Sequence, residues 1–134
     1  MADYNPVALM TGLRQRLLDL NVGPVVVGPI VNEPDTVTGL QPYPLSDDIG
    51  SGQILLGVQV NMRDGKLAGV AGLLTRQETI YRSLVALQGV AVNGITVVTA
   101  WRQSSAGPVG LDDQGRPRYA DTYWMRTDRL GIQG

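Results

Sequence analysis

Gln53-Ile54-Leu55-Leu56-Gly57-Val58-Gln59-Val60-Asn61-Met62-Arg63 is the stretch whose reading decides the fold. Ile54, Leu56, Val58, Val60 and Met62 fall on alternate positions, and Gln59, Asn61 and Arg63 fall between them. A strand sends successive side chains to opposite faces, so this period of two predicts a half-buried strand with one face on a core. Asp64-Gly65 turns it. Downstream the period changes: Leu73, Leu74, Gln77, Ile80, Tyr81, Leu84 and Leu87 keep helical spacing. Thr75 and Glu78 fit a capping box, which sets the firm helix at 75–87, with 67–74 a looser first turn weakened by Gly69 and Gly72.

Upstream, Asn5-Pro6 reads as an N-cap and a first-turn proline, followed by an apolar stripe of Met10, Leu13, Leu17 and Leu20. Asn21-Val22-Gly23-Pro24 stops that helix, and Val25-Val26-Val27 reads as a strand. Residues 32–52 read as a long loop with room for a short strand near Val37 to Leu40. After the second helix, Asn93-Gly94 between Val90-Ala91-Val92 and Ile95 to Arg102 predicts a hairpin, because both turn residues tolerate positive φ. A second loop, 104–117, leads to a last strand near Tyr119 to Thr127, and 129–134 reads as a frayed tail. The chain reads as one domain, 1–134. Its expected class is α+β, a mainly antiparallel sheet with two helices packed on one face, in the order α-β-(loop)-β-α-β-β-β.

Composition narrows the chemistry. The 134 residues are long enough to bury roughly two-thirds of the unfolded surface in a core. There is no Cys and no His, and only Lys66 among the 11 basic residues is a lysine. Disulfides, thiolate chemistry, Cys-containing zinc sites and the usual general base are thereby excluded. A formal net charge of −1 argues against gripping nucleic acid by phosphate neutralisation. The first residues lack the basic start and apolar run of a signal peptide, and the apolar stretch around Val25 to Val31 is too short to span a bilayer.

The remaining candidates read more simply as structure. Asp112-Asp113-Gln114-Gly115 lacks the alternating ligands of a calcium loop and reads as a tight turn. Gly50-Ser51-Gly52 is followed by no Lys-Ser/Thr, and Gly65-Lys66 is followed by Leu67, so neither is a phosphate loop. Asp47 and Asp48 serve acid–base chemistry only if one is desolvated, and their Gly/Ser/Pro-rich setting predicts solvation. Trp101 and Trp124 fall on neighbouring expected strands, where they pair across the sheet in the core or lie at a subunit interface; core packing is the expectation. No catalytic, cofactor-binding or metal-binding residue is expected, and no enzymatic activity.

Several pieces, in order, resemble the phage tail-terminator or "minor capsid" family of siphophage head–tail joining proteins. They are the N-terminal helix, Val27-Gly28-Pro29, Pro34-Asp35, the strand Val58-Gln59-Val60-Asn61-Met62-Arg63, the helix close Leu84-Val85-Ala86-Leu87-Gln88-Gly89, and Gly110-Leu111-Asp112-Asp113-Gln114-Gly115-Arg116-Pro117 before a Tyr/Trp-containing strand. Residues 41–52 match nothing in that pattern. The resemblance implies a homohexameric ring that ends tail-tube growth, binds the tail tube protein and presents a surface to the head-completion or stopper protein. DNA would pass through its lumen without specific binding, and no membrane is involved. The expected place is the tail or neck of a virion assembled in the host cytoplasm. A stopper or other neck component, a small ligand-binding domain and a carboxylate-based hydrolase are the alternatives.

Charge is unevenly placed along the chain. Leu17 to Met62 holds five acidic residues (Asp19, Glu33, Asp35, Asp47 and Asp48) and no basic one, while the remainder has 11 basic and 7 acidic. In a ring such polarity favours acidic-on-basic contact between neighbours, or a negative lumen that repels phosphates; loops acidic for solubility alone are the third reading. Asp47, Asp48, Asp112, Arg116 and Arg118 are the candidate subunit or ring contacts.

Overall fold

The computed structural model describes residues 6–46, 53–65 and 69–128. Asn5, the pair Asp47 and Asp48, Gly50 to Gly52, Lys66 and the tail 129–134 lie outside the described residues. The elements run α1 (Pro6–Leu18), β1 (Val25–Val27), β2 (Val37–Ser46), β3 (Gln53–Arg63), α2 (Gly69–Val85), β4 (Val90–Val92), β5 (Ile95–Leu111) and β6 (Pro117–Asp128). They form one six-stranded sheet in the order β1-β2-β3-β6-β5-β4. Only the β1–β2 pair is parallel. The α+β class, both helices on one face and the order of elements agree with the sequence reading.

The alternation read along 53–63 determines which face is the core. Leu56, Val58, Val60 and Met62 of β3 join Leu40 of β2, Tyr119, Tyr123 and Met125 of β6 and Val97 of β5 in one buried cluster. Leu9, Met10, Leu13 and Leu17 of α1 and Leu73, Ile80 and Leu84 of α2 fill it from the helix side. Each such fully buried side chain is worth about 1.5–3 kcal/mol in surface removed from water.

The sheet is curled so that its two edge strands approach one another across α1. At one end of α1, Asn93 Nδ2, in the β4–β5 turn, donates to Ala8 O at 2.8 Å; further along, Arg14 Nε donates to Val25 O of β1 at 2.7 Å. Ala8 and Arg14 are only about 9 Å apart along a helix. In a flat sheet, five steps of about 4.8 Å would hold β1 and β4 roughly 24 Å apart. Helix α1 therefore lies along the seam. Gly12 is the residue that lets it close: a Cβ there would sit 2.6 Å from Val92 Cγ1 and 2.8 Å from Asn93 Cβ. Gly12→Ala is accordingly expected to destabilise by about 1–2 kcal/mol, as overpacking does, although Gly to Ala at an open helical site stabilises by about 1 kcal/mol. Urea denaturation reads the sign directly.

Three boundaries depart from the sequence reading. The segment taken as a long loop from residue 32 to 52 contains the ten-residue strand β2, extending far past Leu40. Thr38 N donates to Pro24 O and Gly28 N to Leu40 O, so even-numbered residues of β2 direct their backbone groups away from β3. Pro42 and Pro44 share that parity, so neither removes a ladder bond, and the open part of this edge offers acceptors without the matching donors. The loop expected from 104 onward is likewise the outer half of β5, which reaches Leu111 through register shifts between Arg102 and Ser104, Ser105 and Gly107, and Pro108 and Leu111. Bulges of this kind blunt an edge strand. Helix α2 begins at Gly69, not Thr75, because Leu73 is fully buried and holds the early turns down. Thr75 is no cap: its Oγ1 donates to Ala71 O at 3.1 Å inside the helix.

Candidate functional site

The helix-free face of the sheet carries the features the hydrophobic pattern leaves unexplained. Across its middle, Tyr43, Gly57, Trp124 and Trp101 stand side by side on β2, β3, β6 and β5. The tryptophans pair as expected, edge to face with centroids 6.1 Å apart and planes at 66°. They are half-buried and outside the core cluster, which corrects the expectation of core packing. The Tyr43 ring lies against Gly57, where any Cβ would collide with it.

Toward the Arg63 end of the same face, the β1–β2 connection folds down onto the sheet. A Cβ at Gly39 would meet Gly28 O and Ile30 Cγ1, each at 3.0 Å, so the glycine makes room for the connection. Two arginines hold it. Arg63 donates from Nε to Asp35 O at 3.0 Å and from Nη2 to Pro34 O at 2.6 Å and Asn32 O at 3.1 Å. Arg116 donates to Asn32 O at 2.7 Å, Asn32 Oδ1 at 2.9 Å and Asp35 Oδ1 at 3.0 Å. Arg63 and Arg116 are each only 5% exposed, so both guanidiniums are committed to the connection. The Glu33–Pro34 bond within it is cis.

Asp112 anchors the other side. Its Oδ1 accepts from Gln114 N at 2.9 Å and Arg116 N at 2.8 Å, and its Oδ2 accepts from Arg116 Nε at 2.8 Å. Gly115, at φ 77°, completes the turn, as read from the sequence. Burial works against the charge on Asp112, but the backbone N–H groups of Arg116 and Gln114, and then the Arg116 guanidinium, hold its carboxyl below the ordinary carboxylate range. A depressed folded-state pKa stabilises above the unfolded value of about 3.9, and that stabilisation is lost as pH falls through the lower, folded value. Wild type is therefore expected to lose stability between pH 5 and pH 2 more steeply than Asp112→Asn. Thermal melts across that range check the difference in slope.

Arg118, the remaining candidate, faces Arg63 in register on β6 and is exposed. Of the five candidate contact residues, Asp112, Arg116 and Arg118 thus converge on one end of one face. Asp47 and Asp48 lie outside the described residues, as does Lys66, so the acid–base and Ser–Lys readings have no geometry here. The residues missed from the sequence are Arg63 and Asn32. Arg63 merely ended an alternating strand, and its one signal was a charged residue closing an otherwise uncharged strand.

Two further polar groups reinforce the core. Arg76 of α2 reaches the β2 and β3 ends, donating to Val37 O at 3.0 Å, Thr38 Oγ1 at 2.9 Å, Arg63 O at 2.8 Å and Asp64 Oδ1 at 2.6 Å. Asp121 accepts from Gln77 Nε2 at 3.1 Å and Tyr123 OH at 3.4 Å, with Arg102 Nη1 at 3.7 Å. Burial first, and then Asp121, push the Tyr123 phenol well above its ordinary pKa, so it stays a donor. These groups are occupied in holding helix to sheet. Among the described residues no group of three or more Asp or Glu could hold a metal ion, and no helix is long and apolar enough to cross a membrane.

No family model and no curated protein sequence matches the chain. Among solved structures it is similar to a chain of "Virion of native gene transfer agent (GTA) particle", with a TM-score of 0.67 at 15% sequence identity. The match covers 92% of this chain and 94% of that one, so the whole fold is shared, end to end.

Proposed function

We propose that this chain is a structural protein of a phage-like virion, and within it a tail terminator. It would form a homohexameric ring that caps the tail tube and joins it to the head connector, without catalysing a reaction. The observation that carries the reading is the end-to-end likeness to a chain of a virion particle. The order of motifs along the sequence supports it independently. So does the site: two buried arginines stiffen a connection that displays Val31, 58% exposed, beside Leu111, 67% exposed. A rigid end showing large apolar side chains suits docking by shape. Its partners on this reading are copies of itself, the tail tube protein and the head-completion protein, with DNA passing through the lumen unbound.

Native mass spectrometry and negative-stain imaging, with and without purified tail tube, test the proposal. Six-subunit rings, free or seated on tube ends, are the expected result. A chain that stays monomeric at high concentration and ignores tube ends overturns it. Binding to the head connector but not to tubes would make the protein a stopper instead.

A further inference from the structure

We infer that the hollow beside Arg118 receives the segment around Asp47 and Asp48 of a neighbouring copy, making a head-to-tail contact. The inference rests on the ring reading and names the surfaces that would build the ring.

The hollow measures about 320 Å³, with Ile30, Val31 and Asn32 on one wall and Arg63, Arg116 and Arg118 on the other. Three cations share one small space. Burial, and then the neighbouring Arg116, lower the pKa of Arg63, which shows how crowded with positive charge this end is. Arg63 and Arg116 are already used up by the connection they hold. Arg118 is exposed and makes no hydrogen bond or ion pair among the described residues, so it is the charge left to bind something. Beside it lies the apolar Val31, 58% exposed. The chemistry that fits is a carboxylate with an apolar neighbour.

Leu45-Ser46-Asp47-Asp48-Ile49 has that composition: two carboxylates flanked by two aliphatic side chains, in a region of the chain with no basic residue. Leu45 is 38% exposed. This segment cannot reach the hollow of its own molecule. Residues 47–52 connect Ser46 to Gln53, at the far end of the β3–β6 ladder from the Arg63–Arg118 pair. Ten residue steps separate the two ends of β3, or roughly 33 Å at about 3.3 Å per residue. A six-residue connection tied at both ends extends only about 10 Å outward. The contact must therefore join two copies, and because it uses different surfaces on each it is heterologous, the kind that closes into rings. Strand addition is a poor substitute, since β2 presents prolines and β5 presents bulges at their open edges.

Asp113 stands on the same rim and opposes an incoming carboxylate. Its removal is expected to tighten the contact.

The test measures ring fraction by native mass spectrometry, on tube ends if rings require them, with circular dichroism confirming that each variant is folded. Arg118→Glu is expected to lower the ring fraction at least about tenfold, by placing like charges together. Combining it with Asp47→Arg and Asp48→Arg is expected to restore assembly, and Asp113→Asn to raise its salt tolerance. Wild-type rings indifferent to Arg118→Glu, or a triple variant no better than Arg118→Glu alone, overturn this contact and leave the ring reading standing. A wild-type chain that forms no ring under any of these conditions overturns the ring reading, and this contact with it.

Discussion

Replacing Asp64 with alanine is expected to destabilise the fold by about 3–5 kcal/mol, the cost of leaving a buried charge without its partner. The Arg76–Asp64 pair is 2.6 Å apart, with side chains only 6% and 7% exposed. Burial already lowers the pKa of Arg76, with the Asp64 charge opposing that shift. Without Asp64 the guanidinium keeps Val37 O, Thr38 Oγ1 and Arg63 O but loses its only anionic partner. The melting temperature of a domain this size should fall by roughly 10–20 °C. Glu78→Ala is the control. Its pair with Arg82 is 51% and 77% exposed, and its loss should cost under about 0.5 kcal/mol. Urea unfolding of both variants decides the matter; an Asp64→Ala loss below about 1 kcal/mol would show that water reaches Arg76.

Leu13→Ala is expected to cost about 2–5 kcal/mol, from lost burial and from the cavity left behind. Leu13 is fully buried, on the helix that lies along the seam between β1 and β4. The sheet edges cannot collapse into the space, because Gly12 already packs against Val92 and Asn93. A site that cannot relax belongs at the upper part of that range. Thr11→Ala, one residue away and exposed, should stay within about 0.5 kcal/mol. Near-UV circular dichroism adds a second readout. Trp101 and Trp124 couple on the opposite face of the sheet, so a folded Leu13→Ala should retain their signal and lose it only on unfolding.

Local physics was legible where a residue's surroundings repeat along the chain. The alternation in 53–63, the helical spacing in 73–87, the Asn93-Gly94 turn and the Asp112–Gly115 turn all read correctly, because each is decided within a few residues. The strand 37–46 was hidden by Gly39, Pro42 and Pro44, which read as loop in isolation. In the sheet, Gly39 makes room for Gly28 and Ile30, and the prolines lie where no ladder partner needs an N–H. The outer half of β5 was hidden in the same way by Gly107, Pro108 and Gly110, which its bulges accommodate.

The candidate site divides along the same line. Asp112 and Arg116 were visible as a turn, since their bond spans four residues. The burial of Arg63 and Arg116 was not visible, because their partners lie 28 to 84 residues away, in a connection that folds over the sheet. From sequence alone Arg63 was the charged end of a strand; in the fold it holds three backbone carbonyls. The sequence by itself determined the element types, the core face and a chain without thiol or imidazole chemistry. Only the tertiary structure decided that the sheet curls around α1, that two arginines are buried, and that Arg118 is left as the free cation among the described residues beside them. Periodicity is a property of neighbours in the chain. The burial of a charge, and hence what it can still bind, depends on which distant carbonyls and carboxylates the fold brings to it.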